Sequence, residues 1–138
     1  VNGKSFSEIS DLCIKHGASF FQIYANHIHC DWRNLPLNSE FYPGPTINPG
    51  FINLKETIEK QSKIIAVAEK NFWLLSVKTD FIEDQPELVT YTWQIYDRHG
   101  QVHIFTAPEV ELPKLLGPYQ IEVTIGGSIE LKTTLTNN

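Results

Sequence analysis

The chain has no methionine, only two cysteines, and no apolar stretch near the ~20 residues that would span a bilayer. With Val1 first, the missing methionine reads as a processed or trimmed form. No basic start runs into a hydrophobic segment, so no targeting signal is visible and no membrane partner is expected. Basic residues are few: 11 against 16 acidic, scattered singly, for a net charge of −5. Nucleic acid is met by a basic stripe that neutralises phosphates, so it is set aside as a direct partner. An acidic chain suits a basic protein partner or a small ligand better. There is no G-x-S-x-G, H-E-x-x-H, phosphate loop or G-x-G-x-x-G, so no catalysis or cofactor is spelled out.

The two cysteines, Cys13 and Cys30, match no C-x-x-C redox or zinc pattern. They could close one bridge or stay as two buried thiols. Cys13 shares a helical face with Phe6, Ile9 and Leu12, which favours the buried thiol, since free cysteine is among the most buried residue types.

What the chain does have is an order of elements. At 138 residues, with 41% hydrophobic and 20% charged content, it is long enough for one domain over 1–138 with its own core. Ser5-Phe6-Ser7-Glu8 reads as a capping box opening a first helix, and Gly17 supplies its left-handed stop. Residues 18–32 read as extended, from the alternation of Phe21, Ile23 and Ala25. Four prolines and two glycines forbid regular structure over most of 33–50, which becomes a long Pro-rich loop pinned by Phe41 and Tyr42. A second helix is expected from Asn53 to Lys70, with Leu54, Ile58, Ile65 and Ala68 as its stripe and Asn71 as its stop.

Strands then run to Thr136. Trp73, Leu75, Val77, Thr79 and Phe81 alternate with polar or exposed positions, as do Val89, Tyr91, Trp93 and Ile95. Asp97-Arg98-His99-Gly100 is the signature of a three-residue hairpin loop with a glycine bulge, which pairs Ile95 with His103 and Trp93 with Phe105. Both faces of that hairpin carry apolar residues, so cover is expected on both. Around Gly126-Gly127, parity selects the register that pairs Ile125 with Ile129 and Val123 with Leu131.

The expected fold is therefore α+β: a helix packed on a curved antiparallel β-meander, with an N-terminal helix and the Pro-rich loop beside it. Over 53–136 that element order resembles the cystatin-like and NTF2-like architectures, in which a helix lies in the concavity of a meander.

Candidate chemistry is sparse. If extended, His27, His29 and Asp31 share one face at a spacing that lets two imidazoles and a carboxylate converge on a metal, with His103 or His16 completing the set. A polar strand end that happens to carry histidines explains them better, and no metal or other cofactor is expected. Turn chemistry accounts for Asp97 and Gly100. Tyr91, Trp93, His103 and Phe105 could line an aromatic ligand cavity, although an aromatic stripe on strands is more often plain core. Trp32, Phe41 and Tyr42, with the acidic string Asp80, Glu83 and Asp84, suit an acidic and aromatic surface for a basic protein partner. The favoured function is a non-enzymatic protein-interaction domain of inhibitor, immunity or accessory type. The alternative is a small-molecule-binding or enzymatic pocket around His103.

Overall fold

The computed structural model describes residues 3–33, 40–41, 44–47, 53–79 and 89–136. Among these residues the protein is α+β, with two α-helices and antiparallel sheets that do not close into a barrel.

Helix α1 (Phe6–Lys15) forms as its sequence dictates. The Ser5 Oγ accepts from the Glu8 amide at 3.2 Å and the Ser5 amide donates to Glu8 Oε2 at 2.7 Å, closing the capping box. Gly17 ends the turn at φ 86°, a conformation that disfavours a Cβ. Ser10, Cys13 and Ile14 are its buried residues. The extended segment after the helix is a hairpin, β1 (Phe20–Ile23) against β2 (Ile28–Asp31), with Phe21 opposite Cys30.

That register brings β2 beside α1, and Cys13 is disulfide-bonded to Cys30. The buried-thiol expectation for Cys13 is thus corrected. Helical periodicity reports which face is buried and says nothing of what the strand across from it carries. Both cysteines lie on a shared apolar boundary, where a thiol and a half-cystine look alike in sequence.

Helix α2 is Leu54–Gln61, capped by Asn53, whose side chain accepts from the Glu56 amide at 2.9 Å. The expected continuation to Lys70 is wrong. Ser62 is extended at φ −102° and ψ 145°, and Lys63–Ala68 is strand β3. Ile64, Ile65 and Val67 are β-branched, and β4 (Phe72–Lys78) offers them a ladder from Lys63↔Lys78 to Ala68↔Trp73. Asn71, read as a helix stop, instead sits in the β3–β4 turn.

The remaining strands are β5 (Tyr91–Tyr96), β6 (Val102–Phe105), β7 (Glu109–Pro113), β8 (Tyr119–Ile125) and β9 (Ile129–Leu135). They do not form one meander. One three-stranded sheet has the order β3-β4-β7, and one four-stranded sheet has the order β6-β5-β8-β9. The chain leaves the second sheet after β6, adds β7 to the first, and returns as β8. Sequence alternation marks each strand but not which sheet it joins.

Both hairpin registers hold. Trp93 pairs with Phe105 and Ile95 with His103, Gly100 takes φ 75°, and Ile125 pairs with Ile129. The inward faces join one buried cluster that includes Ile14, Phe21, Leu54, Ile58, Leu75, Trp93 and Val123. The outward face of β5–β6 is bare, contrary to the cover expected there: Val102 is 42% exposed and Ile104 67%. Much of the Pro-rich loop, together with Phe81 and the strand end around it, lies outside the described residues. Within it, 44–47 runs beside β1: the Phe21 amide donates to Pro45 O and the Ile47 amide to Ser19 O.

Candidate functional site

The end of β2 gathers Ser19, His29, Asp31, Trp32 and Arg33 into one polar and aromatic constellation. Ser19 donates from its amide to Asp31 O at 2.8 Å, and its hydroxyl contacts Asp31 O at 3.0 Å and Arg33 O at 2.8 Å. The strand end is therefore stapled to the start of β1. The Asp31 carboxylate is buried and accepts from the Arg33 amide at 2.8 Å, from Arg33 Nε at 2.7 Å and from Arg33 Nη2 at 2.5 Å. His29 Nε2 lies 3.4 Å away on the same oxygen. The Arg33 guanidinium, ahead of the burial that opposes it, holds the Asp31 carboxyl well below the usual carboxylate range.

Trp32 stands between these two residues, and its ring faces out. Its Nε1 donates to His16 O at 2.9 Å, which satisfies one of the carbonyls left open at the end of α1. The indole remains 55% exposed. A large aromatic is thus fixed at one end by the helix terminus and at its root by the disulfide-bearing strand. Phe41 is 71% exposed and does not pin its loop to the body as expected. Tyr42, Asp80, Glu83 and Asp84 lie outside the described residues.

The three metal candidates do not converge. His27 Nδ1 is 2.7 Å from Asn26 Oδ1 and its ring stacks on Tyr24 at 4.6 Å, while His29 and Asp31 meet each other. Among the described residues no group of three or more histidine, cysteine, aspartate or glutamate side chains is placed to hold a metal ion.

The aromatic set of the other candidate is core. Trp93 is fully buried and its Nε1 donates to Ala107 O at 2.7 Å; Tyr91 is buried and Phe105 half-buried beside the same cluster. Tyr91 borders two open depressions of about 440 Å³ each, one reaching Ile65 and Glu109 and the other Ser7 and Thr106. His103 is tied to the turn. Asp97 Oδ2 lies 2.9 Å from His103 Nε2, and Asp97 Oδ1 accepts from the amides of His99 at 2.8 Å and Gln101 at 3.1 Å. The His103 contact, first among these bonds, lowers the Asp97 carboxyl from its ordinary value. This is an Asx-type turn closed by an imidazole, a feature that the D-R-H-G signature carries in part and that the position of His103 completes.

No protein-family model, curated protein or solved structure matches this chain.

Proposed function

We propose that the chain is a non-enzymatic interaction domain, of inhibitor, immunity or accessory type, that meets a protein partner through the face centred on Trp32, with Phe41 as a second contact. The supporting observation is the Trp32 ring, 55% exposed yet held by its Nε1–His16 O bond. A large ring fixed before binding loses little conformational freedom in a complex, and such aromatics are the commonest energetic anchors of interfaces. The net charge of −5 and Glu40 beside Phe41 favour a basic partner. The finer likeness to a cystatin-like or NTF2-like arrangement belongs to this reading too; α2 set against β9 supports it, and the division into separate sheets speaks against it.

A pocket reading would use the His103–Asp97 contact, but that carboxylate also holds the amides of His99 and Gln101 in the turn, and Trp93 is fully buried as core.

The test places a photo-crosslinking side chain at position 15, exposed and next to the His16 carbonyl that holds Trp32, with Lys60 as an exposed control position. A partner captured from the native source should be labelled from position 15 alone and be competed by unlabelled wild type but not by Trp32→Ala. Equal competition by Trp32→Ala removes this face from the function.

A further inference from the structure

Among the described residues the four-stranded sheet has one edge strand, β6, that is short and carries neither a carboxylate nor a lysine, arginine or proline. Among the described residues β6 is hydrogen-bonded to β5 alone. The phase of the ladder is set by two bonds: the Asp97 amide donates to Gln101 O, and the Gly126 amide to Thr90 O. Hydrogen-bonded and non-bonded pairs alternate in an antiparallel ladder. Odd-numbered residues of β5 therefore face β6, and even-numbered ones face β8. On β6, His103 and Phe105 bond inward to β5, and the amides and carbonyls of Val102 and Ile104 point to the free edge. The same two residues present exposed apolar side chains on the outer face of the sheet, 42% and 67% exposed.

β7 carries Glu109, Glu111 and Pro113, and β9 carries Glu130 and Lys132 and lies against α2 and β3; β3, the other edge of the three-stranded sheet, opens on Lys63 and lies against β9. Charges and prolines of this kind are how natural sheets blunt an edge, and β6 has neither.

We propose that β6 pairs antiparallel with β6 of a second copy of this chain, on a two-fold axis through His103, to give a continuous eight-stranded sheet. That is the register in which both exposed apolar side chains of the edge meet an apolar side chain of the other copy. Val102 then opposes Ile104 of the second copy, and Ile104 opposes its Val102. Each pair exchanges both backbone bonds, because all four residues have their polar groups on the free side. Their side chains fall together on the outer face and cover each other. Charge permits it: Gln101 opposes Phe105, and His103 opposes His103, each imidazole held against its own Asp97 carboxylate. In a chain of net charge −5, this is an edge on which two copies set no like-charged carboxylates against one another, whereas Glu109 and Glu111 would meet on β7. A four-residue edge buries little, so the dimer is weak. It uses a different sheet from the β1–β2 hairpin that leads into Trp32, and so does not rest on the protein partner met through that ring.

Sedimentation over a concentration series tests it. Wild type should pass from monomer to dimer, and Ile104→Lys or Val102→Glu should each raise the dissociation constant about tenfold or more, because each substitution disrupts both symmetry-related pairs. The double variant Val102→Glu/Ile104→Lys should recover dimerisation, because each glutamate then faces a lysine across the axis. Hydrogen exchange on wild type gives a second reading that needs no variant: the Val102 and Ile104 amides should slow as concentration rises, while the His103 amide should not change. Trp32→Ala should dimerise normally. A chain that stays monomeric at its solubility limit overturns the proposal. So does a dimer indifferent to Ile104→Lys, or a double variant no better than the single ones.

Discussion

At the scale of the residue, the side chains that matter most are those whose polar atoms end in one defined place. Trp93 is fully buried and its Nε1 reaches Ala107 O, so its ring fills the four-stranded sheet's inner face while its one polar atom stays satisfied. Trp93→Ala should cost about 3–5 kcal/mol, the range for removing a buried aromatic. Chemical denaturation showing a loss under about one kcal/mol would contradict that burial. Trp32 is the opposite case, a tryptophan whose ring stays out and whose Nε1 closes a helix end. Trp32→Phe keeps an aromatic at the surface but leaves His16 O without that donor, and a loss of about 1 kcal/mol is expected in the same measurement. No change would mean that the indole bond contributes nothing to the folded state.

At the scale of the element, the N-terminal hairpin is held by links that sequence only half disclosed. Cys13 and Cys30 stand 17 residues apart, and closing a loop of that length restricts the unfolded chain by about 3 kcal/mol in the loop-entropy description. Cys13→Ser with Cys30→Ser should lose about that much stability, read as a lower denaturant midpoint. A second link is backbone on backbone. A Cβ added at Gly44 would lie 2.1 Å from Phe21 O, so Gly44→Ala must push 44–47 off β1. An overpacking cost of about 1–3 kcal/mol is expected, with faster exchange of the Phe21 and Ile47 amides. Local patterns were legible where the chemistry is local. The Ser5–Glu8 box, the Asp97–Gly100 loop and the parity of Val123 and Leu131 all fix structure over a few residues. The helix drawn through Ile64, Ile65 and Ala68 failed because the ladder to β4 outweighs helical spacing, and that ladder is set by residues further along the chain. The site was legible only in part: Trp32 was visible as an aromatic, but its anchor at His16 O comes from a different element.

At the scale of the whole molecule, acid acts on these links in opposing directions. Asp31 and Asp97 are held below the usual carboxylate range, by Arg33 and by His103 respectively, and Glu8 by its bond from the Ser5 amide. A carboxyl lowered on folding contributes stability that is present above its unfolded value, near pH 4, and is lost as pH falls through the folded value. Asp11 runs the other way. It accepts from the Thr90 amide at 3.2 Å and from Thr90 Oγ1 at 2.5 Å, yet burial outweighs both bonds and raises it. Its contribution is complete below the unfolded value and is lost as pH rises through the raised one. Among the described carboxyls these three are lowered and Asp11 is raised, and Asp31 is displaced furthest, so together they make stability fall with acid below about pH 4. Asp11→Asn isolates the opposing member. Because the asparagine does not ionise, the stability of the variant relative to wild type should climb as pH rises from about 3 to about 7, even if the variant is the less stable protein throughout. Urea titrations across that range read the difference directly. A difference that stays flat with pH would mean that the link between α1 and Thr90 does not depend on the charge of Asp11, and a difference that falls would mean that Asp11 is lowered on folding instead.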